Sequence, residues 1–248
     1  MRVAAAAGRS GTVLEELAGT EPWHPRILAG GGAARVALVQ SRASVVSGDD
    51  VELSISVGEG AALELVEIGA TLTHHGRGGA RAQIVVDVTV GDRGQLTWLG
   101  APLIVARGAD VRRTMRIELT GGGRVLLGET IVLGRAREPH GTLSSRTRIV
   151  CDGRPTVDET LETGDADTLH SPVVAGQAGM IAALTLAGLR DDDPPIGAMQ
   201  AHGLATLWRA TGAAMEIARR EAPVVTRWRR IVAEEAEPEE RVVLRPRS

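Results

Sequence analysis

The sequence contains no lysine, tyrosine or phenylalanine, so all 28 of its basic side chains are arginines. The missing lysine excludes a Walker-type phosphate loop, a Schiff base to pyridoxal phosphate and a kinase ion pair, because each requires a lysine amine. Only four tryptophans supply large aromatic rings, and the net charge is −3. Stacking surfaces and an excess of positive charge are therefore both missing, and we expect no nucleic-acid partner.

A single cysteine, Cys151, excludes an internal disulfide and a multi-thiolate zinc site, which is typical of a reducing compartment. Arg9 interrupts the short apolar run at the beginning of the chain, so we predict no export signal. The uncharged stretch at residues 173–189 contains several glycines and is shorter than the ~20 residues of a membrane-spanning helix. We predict a buried core helix there, a cytoplasmic location and no membrane contact.

A repeated pattern of strand, glycine turn and strand occupies the middle of the chain. Its copies are VELSISVGEGAALELVE from Val51, IVVDVTVGDRGQLTWLG from Ile84, MRIELTGGGRVLLGET from Met115 and, more weakly, RTRIVCDGRPTVDETLE from Arg146. Apolar and polar residues alternate in these copies, which is the period of half-buried strands, so each copy is predicted to be a β-hairpin. Because one hairpin cannot bury its own apolar face, we expect the copies to stack. The predicted fold is mainly β, with stacked antiparallel sheets in a solenoid-like array of hairpins and a small C-terminal helical part.

We interpret the chain as one domain with four parts. Residues 1–45 form an N-terminal part, 48–163 the hairpin-repeat core, 171–232 a helical and C-terminal part, and 234–248 a charged tail that is predicted to be mobile. In the third part, residues 203–210 predict a last strand. The segment after it has apolar residues at helical spacing, which predicts an amphipathic helix kinked by Pro223. The acidic run Asp191–Asp193 is interpreted as a solvated turn rather than a metal cluster.

Glu129 lies between Leu127 and Ile131 on a continuous apolar strand, where an unpaired carboxylate would be costly. It needs a partner, a polar channel or an exposed edge, and the sequence leaves these three open. His74 and His75 are the only adjacent imidazoles, a ligand type that suits nickel, copper and zinc, although an exposed polar turn is the alternative. The sequence has no GxSxG, HExxH or helix-leading GxGxxG motif, so we predict no enzymatic activity.

Four segments together resemble the urease accessory protein UreD family, called UreH in some species. They are GDDVELSISVGEGAALEL from Gly48, GATLTHH from Gly69, LTWLGAPLIVARGA from Leu96 and GRVLLGETIVLGR from Gly123 to Arg135. The resemblance spans residues 48–161. The chain departs from the usual side chains of that family at Val66, Glu67, Ile68, Leu72 and His74.

The resemblance implies a mostly β fold in stacked layers and a non-catalytic function in urease maturation. It implies binding to apo-urease and to the helical accessory factor UreF, which recruits the nickel-carrying GTPase UreG, and passage of nickel through a polar tunnel. On this basis we expect a nickel-insertion chaperone with transient Ni²⁺ and no tightly bound cofactor, and Glu129, Thr71 and His74 are the candidate residues of the nickel path. The hairpin repeat alone equally supports a β-rich ligand-binding or scaffold module with no metal function.

The same resemblance leads to an expectation for Glu129→Ala, namely that folding and partner binding stay nearly intact while the nickel content of urease falls. If Glu129 is instead paired with an arginine, the substitution should lower the melting temperature and the recovery of partners together.

Overall fold

The structure is a computed structural model that describes residues 1–29, 33–42, 44–76, 79–171 and 174–234, and its strands form two β-sheets. The first sheet has seven strands, which in spatial order are β15 (Arg154–Glu162), β14 (Thr142–Cys151), β12 (Asp110–Leu119), β9 (Ala82–Val90), β6 (Asp50–Val57), β1 (Arg2–Gly8) and β2 (Gly11–Ala18). The main path of the second sheet is β17 (Ala198–Gln200), β18 (Ala205–Gly212), β16 (Met180–Ala187), β13 (Arg124–Leu133), β10 (Gln95–Leu99), β7 (Ala62–Ile68), β4 (Ala34–Gln40) and β3 (Trp23–Leu28). Three short strands extend the second sheet beside the end of β13: β5 (Ser44–Val46), β8 (Thr71–His74) and β11 (Leu103–Val105).

The repeated unit crosses from one sheet to the other. In the first copy β6 lies in the first sheet and β7 in the second, and the pairs β9/β10 and β12/β13 are arranged in the same way. Equivalent strands of successive copies pair in parallel, so that Ile84 of β9 lies between Val51 of β6 and Arg113 of β12. Successive copies therefore form the rungs of a solenoid-like stack.

The predicted mainly β, stacked fold with a small C-terminal helical part is confirmed, but the predicted hairpins and antiparallel pairing are wrong for the first three copies. Their glycine turns are corners between the two sheets, and Gly60 provides the positive φ of 63° at the first corner. The fourth copy, β14 with β15, is an antiparallel hairpin as predicted. Alternation of apolar and polar residues shows that one face of a strand is buried. The same alternation occurs whether the next strand pairs beside the first or lies in the opposite sheet, so it does not distinguish a hairpin from a corner.

Two apolar layers hold these elements together. The larger layer lies between the two sheets and contains the inward-facing residues of the repeat. The smaller layer lies between the second sheet and helix α2 (Ala214–Glu234), and it buries Ile217, Val224, Trp228 and Val232 of that helix. The predicted amphipathic helix is confirmed, with Pro223 inside it.

The predicted buried helix at residues 173–189 is wrong, because Met180–Ala187 is strand β16, which pairs with β13 and β18. A short uncharged run buried on both faces has no periodicity that separates helix from strand. Residues 171–232 thus contain strands as well as α2, and a short helix α1 (Ala166–Leu169) precedes them. Pro172, Val173 and the predicted tail from residue 235 lie outside the described residues. Neither helix of the described chain has the length and apolar character that crossing a membrane would require.

Asp191 attaches α2 to the second sheet, so the predicted solvated turn is wrong at this residue. Its side chain is 1% exposed, and its carboxylate accepts hydrogen bonds from Arg227 Nε at 2.6 Å and Trp228 Nε1 at 2.9 Å. Burial acts to raise the pKa of Asp191, but the hydrogen bonds from Arg227 and Trp228 outweigh it and hold the pKa below its usual value. The helix is therefore held by an ionised, buried carboxylate.

A second carboxylate fixes the other side of the helix. Glu64 on β7 accepts from Arg229 of α2 at 2.9 Å and from Arg35 of β4 at 2.7 Å. Burial acts to raise the pKa of Glu64, and the two arginines outweigh that effect and lower it. Ion pairs thus join α2 to two separate parts of the second sheet.

We predict that Asp191→Asn destabilises the protein by about 3 kcal/mol, because the amide leaves the Arg227 guanidinium without a buried counter-charge and places N–H groups against two donors. Urea denaturation followed by circular dichroism measures the change. Arg230→Gln, which removes an exposed pair on the same helix, is the control and should change stability by less than about 0.5 kcal/mol. Equal effects of the two substitutions would contradict the assignment of Asp191.

The lowered pKa of Asp191 also predicts a pH dependence. Because the folded-state pKa is below the unfolded-state value, the stabilisation is fully present above the ordinary carboxyl range near ~4 and is lost as the pH falls through the folded-state value. The difference in melting temperature between wild type and Asp191→Asn should therefore be full at neutral pH and shrink in acid. A difference that stays constant down to the acid limit would show that the charge of Asp191 is not responsible.

Candidate functional site

A small cavity lies between the two sheets, and several polar side chains line it within a mostly apolar layer. Its volume is about 50 Å³, which is room for about two water molecules. The polar side chains that line it are those of Trp23, Glu67, Thr71, Trp98, Arg113, Glu129 and Thr130. We refer to this space as the interior cavity.

The register of the first sheet explains why polar groups meet here. One inward-facing row crosses that sheet through Val51, Ile84, Arg113 and Ser145. The row is apolar on β6 and β9 and becomes polar on β12 and β14. In this row the side chains that face the second sheet are therefore polar on β12 and β14, toward one end of the stack.

A larger cleft of about 370 Å³ adjoins the interior cavity, and the two spaces share Glu129 and Ile131 as lining residues. Its other polar side chains include Ser145 and Thr147 from β14 and the ion pair of Glu159 with Arg209, which joins the first sheet to the second. Glu129 thus stands at the junction of the interior cavity and the cleft.

Glu129 is paired with an arginine, one of the alternatives that the sequence left open. Its carboxylate forms an ion pair with Arg113, and the side chains of the two residues are only 16% and 14% exposed. Thr147 Oγ1 lies 3.2 Å from both carboxylate oxygens, and its one hydroxyl hydrogen can be donated to either of them. Glu129→Ala would leave the largely buried guanidinium of Arg113 without its counter-charge, so this geometry favours a loss of stability over the nearly intact folding that we expected.

Glu67 faces the same cavity from β7. Its Oε1 accepts a hydrogen bond of 2.9 Å from Trp98 Nε1. Burial raises the pKa of Glu67, although the hydrogen bond from Trp98 and the positive charge of Arg113 oppose the increase. The cavity therefore contains one carboxyl group that is shifted toward its neutral form and one that is paired with an arginine.

Sequence reasoning missed Glu67 and Arg113 as site residues, although alternation carried a signal for both. Glu67 has the same parity on β7 as the buried Leu63 and Leu65, and Arg113 has the same parity on β12 as the buried Met115. A charged residue at an inward position of a strand is the signal that identifies such groups.

Thr71 and His74 occupy opposite faces of β8. Thr71 is buried, lines the interior cavity and accepts a hydrogen bond of 2.8 Å from Gln40. His74 lines a separate surface pocket with Arg107 and Arg135. The structure therefore brings Thr71 and Glu129 to one cavity and places His74 elsewhere.

Trp23, which lines the interior cavity, has a buried donor without a partner among the described residues, its indole Nε1. Buried N–H groups in proteins are generally satisfied by protein or by ordered water, and the cavity has room for water beside Trp23. This part of the inter-sheet layer is therefore suited to hydration.

No group of three or more His, Cys, Asp or Glu that could hold a metal ion occurs within residues 1–29, 33–42, 44–76, 79–171 and 174–234. The oxygen donors around Glu129 are one carboxylate and neighbouring hydroxyls, a set that suits hard cations and brief contact rather than tight binding.

The fold and this site define a solenoid-like β protein with a polar space between its sheets. The family model for the UreD urease accessory protein matches residues 1–244. Urease accessory protein UreD 1 of Streptomyces griseus subsp. griseus is 38% identical over 192 residues, which is 77% of this chain and 72% of that protein. Urease accessory protein UreD of Streptomyces coelicolor is 37% identical over 229 residues, 91% of this chain and 89% of that protein.

The chain belongs to the UreD urease accessory protein family. It is accordingly an accessory protein of urease maturation rather than a catalytic enzyme. The resemblance found in the sequence is confirmed, and it extends beyond residues 48–161 to nearly the whole chain.

The raised pKa of Glu67 predicts that Glu67→Gln stabilises the protein at neutral pH. When the folded-state pKa of a carboxyl group is raised, the folded protein becomes less stable as the pH rises from the unfolded-state pKa through the folded-state pKa. A neutral amide does not ionise, so the variant avoids this loss of stability. The melting temperature of Glu67→Gln should exceed that of wild type at pH 7 to 8, and the difference should disappear near pH 4. Glu118→Gln, on the exposed face of β12, is the control and should show neither effect; a neutral-pH loss in Glu67→Gln would contradict the prediction.

Proposed function

We propose that this chain assists urease maturation by passing nickel ions through the space between its sheets toward the urease active site. In this proposal it is a non-catalytic chaperone that binds apo-urease on one side and the accessory factor UreF on the other, and UreF brings the nickel-carrying GTPase UreG. Nickel is cargo and no cofactor is tightly bound. The complex acts in the cytoplasm.

The observation that supports the proposal best is the position of Glu129 between the cleft and the interior cavity. A cation crossing an apolar layer needs oxygen ligands in place of water, and Glu129 with Thr147 offers them at that junction. Thr71 provides a further oxygen in the interior cavity. We therefore assign Glu129 and Thr71 to the nickel path ahead of His74.

The charges around this path suit brief rather than lasting contact. Glu129 is paired with Arg113, and Glu159 is paired with Arg209. A carboxylate that already has an arginine partner attracts a second cation less strongly than a free one. Weak binding at each point is what a conduit needs, because a strong first-row ligand set would retain the ion.

The second candidate function is a scaffold module without a metal role. The same two ion pairs favour it, because each joins one sheet to the other and would be needed for structure alone. Under this function Glu129 holds the sheets in position and urease receives its nickel elsewhere.

Glu129→Gln separates the two functions. The amide keeps an oxygen that can accept from Arg113 and Thr147, so it should cost about 1–3 kcal/mol in stability and leave the fold and partner recovery intact. Under the proposed function, coexpression of the variant with the urease subunits should lower the nickel content per urease active site several-fold. Elemental analysis of the purified urease measures this, alongside the yield of urease and accessory factors in a pull-down.

Glu118→Gln, on the exposed face of β12 in the opposite sheet, is the matched control and should give urease with normal nickel content. Full nickel loading in the Glu129→Gln background would contradict the conduit. A parallel fall in nickel content and partner recovery would favour the scaffold function instead.

A further inference from the structure

Arg113 is the one basic side chain among the described residues that line the interior cavity. Its Nη1 forms the ion pair with Glu129 and a hydrogen bond of 3.3 Å to Ser145 Oγ. Its charge also acts on Glu67, the other carboxyl group that faces the cavity. The Arg113 guanidinium therefore interacts electrostatically with two carboxyl groups, those of Glu129 and Glu67, which are on different strands of the opposite sheet.

The Arg113–Glu129 pair sits where the cleft meets the interior cavity, so the guanidinium occupies the carboxylate that an incoming cation would use. Guanidinium and a divalent cation compete for the same oxygens, because both are held by opposite charge. As long as Arg113 holds Glu129, this position is closed to a second positive charge.

We propose that Arg113 gates cation entry: it closes the junction by holding Glu129 and opens it by moving to Glu67 when a divalent cation binds Glu129. The proposal rests on the proposed function for the identity of the cargo, nickel, and adds the regulation of that path. Arg113 is a gating residue and Glu67 is its second partner.

Glu67 is needed because a buried guanidinium is stable only beside an acceptor. Among the described residues lining the interior cavity, Glu67 is the only carboxyl group besides Glu129. It is held in place by two donors, the Trp98 indole at Oε1 and the backbone N–H of Ala101, and a carboxylate with about four lone-pair sites can still accept a further donor. Approach of Arg113 favours the ionised form of Glu67, so the two carboxyl groups exchange one arginine between them.

The test is nickel binding to the purified full-length chain without urease, measured by calorimetric titration with Ni²⁺ alone. Arg113→Gln should tighten Ni²⁺ binding about tenfold, because the cation no longer competes with a hydrogen-bonded ion pair. Arg116→Gln on the same strand, whose partner Asp87 is exposed, is the control and should leave binding unchanged. Adding Glu129→Gln to Arg113→Gln should abolish the gain. Unchanged or weaker binding by Arg113→Gln would overturn the gate.

Glu67→Gln tests the second position of the arginine and keeps the Arg113–Glu129 pair. It should weaken Ni²⁺ binding in the wild-type background, because Arg113 then has no second carboxylate to pair with when it leaves Glu129. It should have no effect in the Arg113→Gln background. An equal loss in both backgrounds would mean that Glu67 acts on the cation directly and would overturn the exchange. If Arg113→Gln does not fold, the Glu67→Gln variant alone tests the gate. An Ni²⁺ affinity of Glu67→Gln equal to that of wild type would then contradict it.

The two proposals fail separately. Normal urease nickel content in Glu129→Gln would contradict the delivery function while the binding data on the isolated chain still support the gate. Unchanged Ni²⁺ affinity in the Arg113 and Glu67 variants, with low urease nickel in Glu129→Gln, would contradict the gate and leave the delivery function standing.

Discussion

Each rung of this solenoid buries its apolar face only because the opposite sheet lies against it. The inward-facing residues of the two sheets form one continuous layer, and every strand of the repeat contributes alternate residues to it. Where the inward row turns polar, at Arg113 and Ser145, the opposite sheet has to supply a partner, since an unpaired charge in this layer would be costly. The pairing of polar groups at the site therefore follows from the stacking of the two sheets, because the opposite sheet provides the partner for the inward-facing Arg113.

Among the described residues, two ion pairs join the sheets, and both line the proposed nickel path. Arg113 with Glu129 and Glu159 with Arg209 keep the sheets joined at the end where the apolar layer is interrupted. Both pairs border the cleft, which is lined by Glu129, Glu159 and Arg209. A carboxylate that is already paired with an arginine attracts a second cation only weakly, so the stability of the fold and the proposed conduit depend on the same groups.

Glu67 adds a second carboxyl group to the site. It stands near the end of β7 and lines the interior cavity together with Arg113. In this chain the properties of the proposed path therefore follow from the combination of Glu67, Arg113 and Glu129 and not from Glu129 alone.

Local patterns in the sequence determined the mainly β class, the inward faces of the repeat, helix α2 and the need of Glu129 for a partner, because alternation, helical spacing and the cost of burying charge are properties of neighbouring residues. The missing lysine excluded whole classes of enzyme in the same direct way. Only the tertiary structure decided that the rungs pair in parallel, that residues 180–187 form a strand and that Asp191 is buried. It also selected Arg113 as the partner of Glu129, 16 positions away, and Arg227 as the partner of Asp191, 36 positions away. These contacts depend on which strands and helices become neighbours in space, and a pattern that records only the buried face of each element does not contain that information.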